Sequence, residues 1–246
     1  MINNIYGIRT DLAIERDVSV KLYKNDFINL YDISNNKYIY HIIEYKDLLN
    51  KDIIKKAIKN EIQFFIKYLK IKKKSHIFIV GLGNENNTAD SIGSKVIKNI
   101  KVNSYYESIG INISGNKISA LEPGVLGTTG IDTKRIIESV SNEIKPDLII
   151  LVDSYVSKNI DYLNKTIQFT NEGIIPGSGI QSLNQEISYK TLNIPIFVIG
   201  VPTAIESKFY SKEKRSNLSM LVSTKDVDLY VNEISNLISE ALNEVL

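Results

Sequence analysis

The chain of 246 residues contains no cysteine. That excludes a disulfide-stapled secreted scaffold, cysteine-ligated zinc, iron–sulfur clusters and any thiol nucleophile, and leaves the chemistry to oxygen and nitrogen side chains. Histidine is almost as scarce. His41 and His76 are the two in the sequence, so metal cages and Ser-His-Asp triads have little to draw on, and neither a metal nor another cofactor is expected. An excess of one charge is missing too: 30 Lys and Arg against 28 Asp and Glu give a formal charge of +2. Counterion-driven nucleic-acid binding needs a far more basic surface, so no direct nucleic-acid partner is expected. No apolar run approaches the roughly 20 residues that cross a bilayer, and the first residues lack a basic stretch followed by an apolar one. A chain with no membrane association and a cytoplasmic location is expected. Repeats and Pro- or Gly/Ser-rich linkers are also lacking, so a single domain is the default.

What is present reads as an α/β protein. Val18–Tyr23, Phe27–Ile33 and Lys37–Tyr45 are rich in Val, Ile and Tyr and separated by Asn/Asp/Ser clusters, the pattern of a small antiparallel element. From Asp47 to Lys70 the residues Leu49, Ile53, Ala57, Ile58, Ile62, Phe65 and Leu69 recur near helical spacing, with lysines filling much of the remainder. This predicts a long amphipathic helix whose lysine-rich end is solvated. His76–Val80, Leu148–Val152 and Ile196–Ile199 are short continuous apolar runs, as expected of strands buried on both faces of a mostly parallel sheet. Helical patterns begin at Thr88, at Asp132 or Thr133, and at Asp226, each an N-cap residue type. The alternation predicts a three-layer α/β/α sandwich around a mostly parallel central sheet. In such sheets ligands bind beyond the carboxyl ends of the strands.

Three segments occupy that position: Gly81 to Asp90, Asp153-Ser154, and Gly200 to Thr203. The first lacks the third glycine of a dinucleotide fingerprint and is not a Walker A loop; a tight turn explains its G-x-G. Asp90 and Asp153 carry more information. If their strands are adjacent, both carboxylates face one crevice, where one could act as general base on a water while the other, protonated, polarises an amide. A helix-dipole role for Asp90 and a loop-capping role for Asp153 remain the competing explanations. Asn84, Thr128, Thr129, Thr203 and Glu206 are further polar residues near the expected rim. Asp132 is read as an N-cap, and both histidines as structural.

Taken together, these segments resemble the germination proteases of spore-forming bacteria. The resemblance rests on Ile8-Arg9-Thr10-Asp11-Leu12-Ala13; Gly81-Leu82-Gly83-Asn84 with Thr88 and Asp90; Pro123 to Ile131; Pro146 to Ile150 leading to Asp153; Thr166-Ile167-Gln168 with Gly173 and Pro176-Gly177-Ser178-Gly179; and Ile194-Pro195 through Thr203. Leu221 to Asp228 and the helix after it resemble the C-terminal end of the family. The resemblance implies an endopeptidase that begins degradation of small acid-soluble spore proteins during germination, in the forespore or spore core. It also implies an atypical aspartic-type mechanism with Asp90 and Asp153 as the essential pair, beside which Asn84, Thr128, Thr129 and Thr203, from their place near the rim, are expected to bind substrate or shape the site. The implied fold is similar to that of hydrogenase-maturation endopeptidases, and the implied assembly is a homo-oligomer, a tetramer in the family.

Members of the family are zymogens that cut themselves near the N-terminus. Thr10-Asp11-Leu12-Ala13-Ile14-Glu15 resembles the recognition sequence, which places self-cleavage between Asp11 and Leu12, with residues 1–11 as propeptide and 12–246 as a single protease domain. Typical members are longer, and the shortening falls mainly between Glu206 and Asn217. Two alternatives stay open at this point: a metal-dependent maturation-type endopeptidase, and an inactive relative that binds spore proteins.

Overall fold

Three antiparallel strands open the described chain: β1 (Val20–Lys24), β2 (Ile28–Ser34) and β3 (Ile39–Tyr45). The computed structural model describes residues 11–16, 19–35, 37–177, 185–206 and 220–246. Ile8 to Thr10, Val18, Ser178, Gly179 and the shortened stretch after Glu206 lie outside the described residues. Asn25 and Asn35 close the two hairpin turns, each accepting from two backbone N–H groups through its side-chain oxygen.

The long helix α1 (Lys51–Tyr68) follows, slightly shorter than its periodicity suggests, and buries Ile54, Ala57, Ile58, Ile62 and Phe65. Its lysines have a structural use. Lys51, Lys55 and Lys59 form ion pairs with Glu233, Glu240 and Glu244 of the C-terminal helix α6 (Val227–Val245). Both helices pack on one face of the sheet, together with α2 (Ile92–Lys98), over Ile77, Ile79, Ile150, Val152, Phe197 and Ile199. The other face holds a second core of Phe78, Val80, Ile149, Leu151 and Val198, covered by Ile137, Val140 and Ile144 of α4 (Thr133–Ile144). Asp132 caps α4 by accepting from the N–H groups of Lys134 and Arg135. Asp226 occupies the corresponding position before α6 but makes no side-chain cap hydrogen bond.

The remaining strands are β4 (His76–Gly81), β5 (Lys117–Leu121), β6 (Leu148–Ser157), β7 (Thr166–Thr170), β8 (Ile196–Glu206) and β9 (Leu221–Val222). The strand order is β1-β2-β3-β7-β8-β6-β4-β5, with β9 paired to the far end of β8. This corrects the expectation of a mostly parallel sheet. Only β5, β4, β6 and β8 run parallel to one another; β7 pairs antiparallel with both β8 and β3, so the N-terminal hairpins are continuous with the same mixed sheet. Helices on both faces of the parallel half preserve the three-layer arrangement there.

The chain leaves β4 toward α2 on one face and β5 toward α4 on the other. A crevice opens where connections diverge in this way. Two short α-helices, α3 (Leu126–Thr129) and α5 (Tyr189–Leu192), and short 3-10 turns lie in the connections.

Candidate active site

A cavity of about 450 Å³ lies at this divergence, lined by the loop after β4, the loop after β5, the distal part of β6 and Thr203 of β8. Asp11, Asp90 and Asp153 all face it.

Asp90 is placed by glycine geometry. Gly83 has φ +104°, a conformation that side chains rarely adopt, and a Cβ there would sit 2.0 Å from the Asp90 carbonyl oxygen. The loop therefore closes on itself. The Asn84 N–H donates to both the Asp90 carbonyl and its Oδ2, at 2.9 and 3.0 Å, and the Asp90 N–H donates to the Asn87 carbonyl. Gly81 and Gly93 let α2 lie directly against the end of β4, since a Cβ at either would meet backbone at 2.2 Å. The helical pattern expected to begin at Thr88 thus starts as a 3-10 turn, Thr88–Asp90, before α2 proper. The G-x-G segment brings Asp90 back to the strand end.

Asp153 does not end its strand as the apolar run suggested. β6 continues to Ser157, and Asp153 lies within it, in register with Gly200 of β8 and 5% exposed. Burial, followed by the charges of Asp90 and Asp11, pushes the Asp153 carboxyl well above the usual carboxylate range, although the Ser154 N–H opposes this by donating to it. Burial also raises Asp90, to about 6, against the lowering effect of the Asn84 N–H. The pair therefore offers one proton-bearing acid, Asp153, beside a partner that ionises near pH 6.

Thr203 ties β8 to this loop, its hydroxyl donating to the Ala89 carbonyl. It occupies a register shift between β6 and β8: Tyr155 pairs with Pro202 and Val156 with Ala204, which leaves Thr203 between them. Asn84 lines the cavity, but its side-chain oxygen is engaged by the Asn86 N–H. Thr128 and Thr129 are not among the lining residues. Their hydroxyls bond to the Val125 carbonyl within their own turn, while Val125, Leu126 and Gly127 face the cavity instead. Glu206 is buried at the distal end of β8, opposite Leu221. His41 contacts Glu61, and His76 contacts the Ile144 carbonyl and the Ser119 hydroxyl, both away from the cavity. Among the described residues no cluster of three or more His, Asp and Glu is placed to hold a metal ion, and no helix is long and apolar enough to cross a membrane.

Gln168 is the residue that sequence reasoning left without a role. Its Nε2 donates to the Asp11 carbonyl at 3.0 Å and its Oε1 accepts from the Ala13 N–H at 2.6 Å. The backbone on both sides of Leu12 is thereby held against β7. The Asp11 carboxylate accepts from the Val156 N–H at 2.9 Å. The sequence shows only a glutamine between Ile167 and Phe169; its burial, which obliges the amide to find partners, is visible in the structure.

The chain matches a known family over most of its length. A model of the germination protease family matches residues 24–214. A germination protease of Caldanaerobacter subterraneus subsp. tengcongensis is 30% identical over 98% of this chain and 95% of its own. One from Clostridium tetani is 30% identical over the same shares. One from Clostridium acetobutylicum is 33% identical over 78% of this chain and 72% of its own. The first of these alignments extends over 310 positions against a chain of 246 residues, so the relative is the longer protein.

Proposed function

The chain belongs to the germination protease family, and from that premise we propose that it is a self-processing endopeptidase acting on small acid-soluble spore proteins through a water held between Asp90 and Asp153. The single observation that carries this reading is the convergence of both carboxyls, Asp90 from the turn after β4 and Asp153 from β6, on one cavity beside the Asp11–Leu12 peptide.

The chemistry follows from the two environments. Asp153, kept protonated by burial and by its acidic neighbours, supplies a proton or hydrogen bond to the substrate. Asp90, less enclosed and ionised above about pH 6, takes a proton from water as that water attacks the carbonyl carbon. The Gln168 amide donates to the carbonyl oxygen on which negative charge develops. Collapse of the tetrahedral species returns a proton to the leaving nitrogen of Leu12. Residues 1–11 then act as the propeptide and residues 12–246 as the protease, in an oligomer like that of the family, within the forespore or spore core.

The test is mass spectrometry of the purified chain over time. Loss of the first 11 residues is expected, with cleavage of a spore-protein substrate at the same type of bond. A chain that stays intact and leaves substrate intact under all pH conditions would reject the reading.

A further inference from the structure

Asp153 on β6, Gly200 on β8 and Gln168 on β7 lie side by side in register. Residues in register share a face, so the acid and the amide project to the same side of the sheet, about 10 Å apart at their backbones, with a bare glycine between them. Tyr155 fills that gap. It lies two residues beyond Asp153 on the same strand and so shares the face. Its ring covers Gly200, where an added Cβ would sit 2.1 Å from the Cζ that carries the hydroxyl, and the residue is 3% exposed. The side chain thus crosses β8 from β6 toward β7, where the Gln168 amide hydrogen-bonds to its phenol.

A primary amide has one oxygen and two N–H groups to satisfy. In Gln168 the oxygen accepts from the Ala13 N–H, one N–H donates to the Asp11 carbonyl and the other to the Tyr155 phenol. Two of these three partners belong to the N-terminal segment. They must give up their places before the amide can hold the carbonyl of any other peptide, whereas Tyr155 stays. Burial, then the charges of Asp11 and Asp153, push the phenol well above the usual tyrosine range, so it is neutral wherever Asp90 titrates.

We propose that Tyr155 is the positioning residue for the Gln168 amide: bridging the gap at Gly200, it keeps the amide aimed at the scissile carbonyl when no peptide is seated. This rests on the protease reading above. Without the phenol, the emptied amide would turn about its last torsion, and each incoming peptide would have to order it. With the phenol, that ordering is built into the sheet.

Tyr155→Phe keeps the ring over Gly200 and removes only the hydroxyl. Cleavage of a peptide with the sequence of residues 8–16 is measured on the native chain, Tyr155→Phe, Gln168→Ala and the double variant. Tyr155→Phe is expected to lower kcat/KM about tenfold, the worth of one neutral hydrogen bond, without moving the Asp90 limb of the pH profile. In the Gln168→Ala background it should cost nothing further, because it acts through the amide. Native kcat/KM in Tyr155→Phe, or the same loss in both backgrounds, would overturn the assignment. The Gln168 side-chain amide protons, followed by NMR in the full chain, give a reading that needs no activity: one of the two is expected to shift and to exchange faster in Tyr155→Phe. A chain that shows this change but cleaves nothing would reject the protease and leave the anchor standing. An unchanged amide signal would overturn the anchor whatever the activity.

Discussion

Asp153 and Gln168 flank Gly200 from the two strands that pair with it, Asp153 on β6 and Gln168 on β7. Tyr155 lies against the same glycine, where a Cβ would meet its ring at 2.1 Å. The buried acid and the amide that holds the Asp11 carbonyl are therefore set by sheet register rather than by loops, the more rigid way to fix a constellation.

Replacing either aspartate should stop the chemistry. Asp90→Asn and Asp153→Asn are each expected to abolish self-processing and substrate cleavage, read as persistence of the full-length mass. Near-native cleavage by either variant would reject the paired-carboxylate mechanism. Exhaustive chelation is expected to leave activity unchanged, and loss of activity that a divalent ion restores would revive a metal-dependent reading.

The pH profile should expose Asp90. As the base it must be ionised, so cleavage of a peptide is expected to rise as pH increases through about 6, and that limb should vanish in Asp90→Asn.

Stability should move the other way. A carboxyl raised from 3.8 to about 6 in the folded state favours folding below its unfolded value, and that contribution is lost as pH rises through 6. The shift corresponds to at most about 3 kcal/mol. Asp90→Asn keeps an acceptor for the Asn84 N–H and removes the charge, so its melting temperature should exceed the native value by an increasing margin between about pH 4 and pH 7. A constant gap would mean that Asp90 is not held in the protonated form by burial.

Gln168→Ala should separate chemistry from binding. Loss of a donor to a developing oxyanion typically lowers kcat by about 10²–10³, whereas loss of a contact that merely orders the peptide raises KM. A raised KM with kcat unchanged would make Gln168 a positioning residue alone.

Gly83→Ala tests the loop that delivers Asp90. Positive φ and a 2.0 Å approach to the Asp90 carbonyl cannot accept a methyl group without displacing that backbone. A loss on the order of 2–4 kcal/mol in denaturant melts is expected, with activity falling further than stability.

Much of this was legible in the chain itself. α1, α4 and α6 follow from apolar periodicity, which survives because each helix presents one face to the sheet. β7 went unread because Thr166, Gln168 and Thr170 interrupt its apolar residues, and all three are buried for the partners they hold rather than for hydrophobicity. The apolar runs of β6 and β8 stop at Val152 and Ile199 for different reasons: β6 turns polar at Asp153-Ser154, whereas β8 is interrupted by Gly200 and Pro202, residue types that suggest a turn. β5 is short and largely half-buried, so its pattern is weak. The antiparallel half of the sheet depends on pairing between β3 and β7, more than a hundred residues apart, and local pattern does not encode that. That Asp90 and Asp153 line one cavity is anticipated by their places after two buried apolar runs, whereas the contacts of Gln168 depend on β7 lying beside β8.

The seam between the parallel and antiparallel halves has a consequence for the cavity. Both aspartates sit on the βα side, but the amide that grips the peptide comes from a strand that pairs across to the N-terminal hairpins. The clamp on the Asp11–Leu12 peptide therefore depends on β7 being seated between β3 and β8, so the geometry around the cavity draws on both halves of the sheet at once.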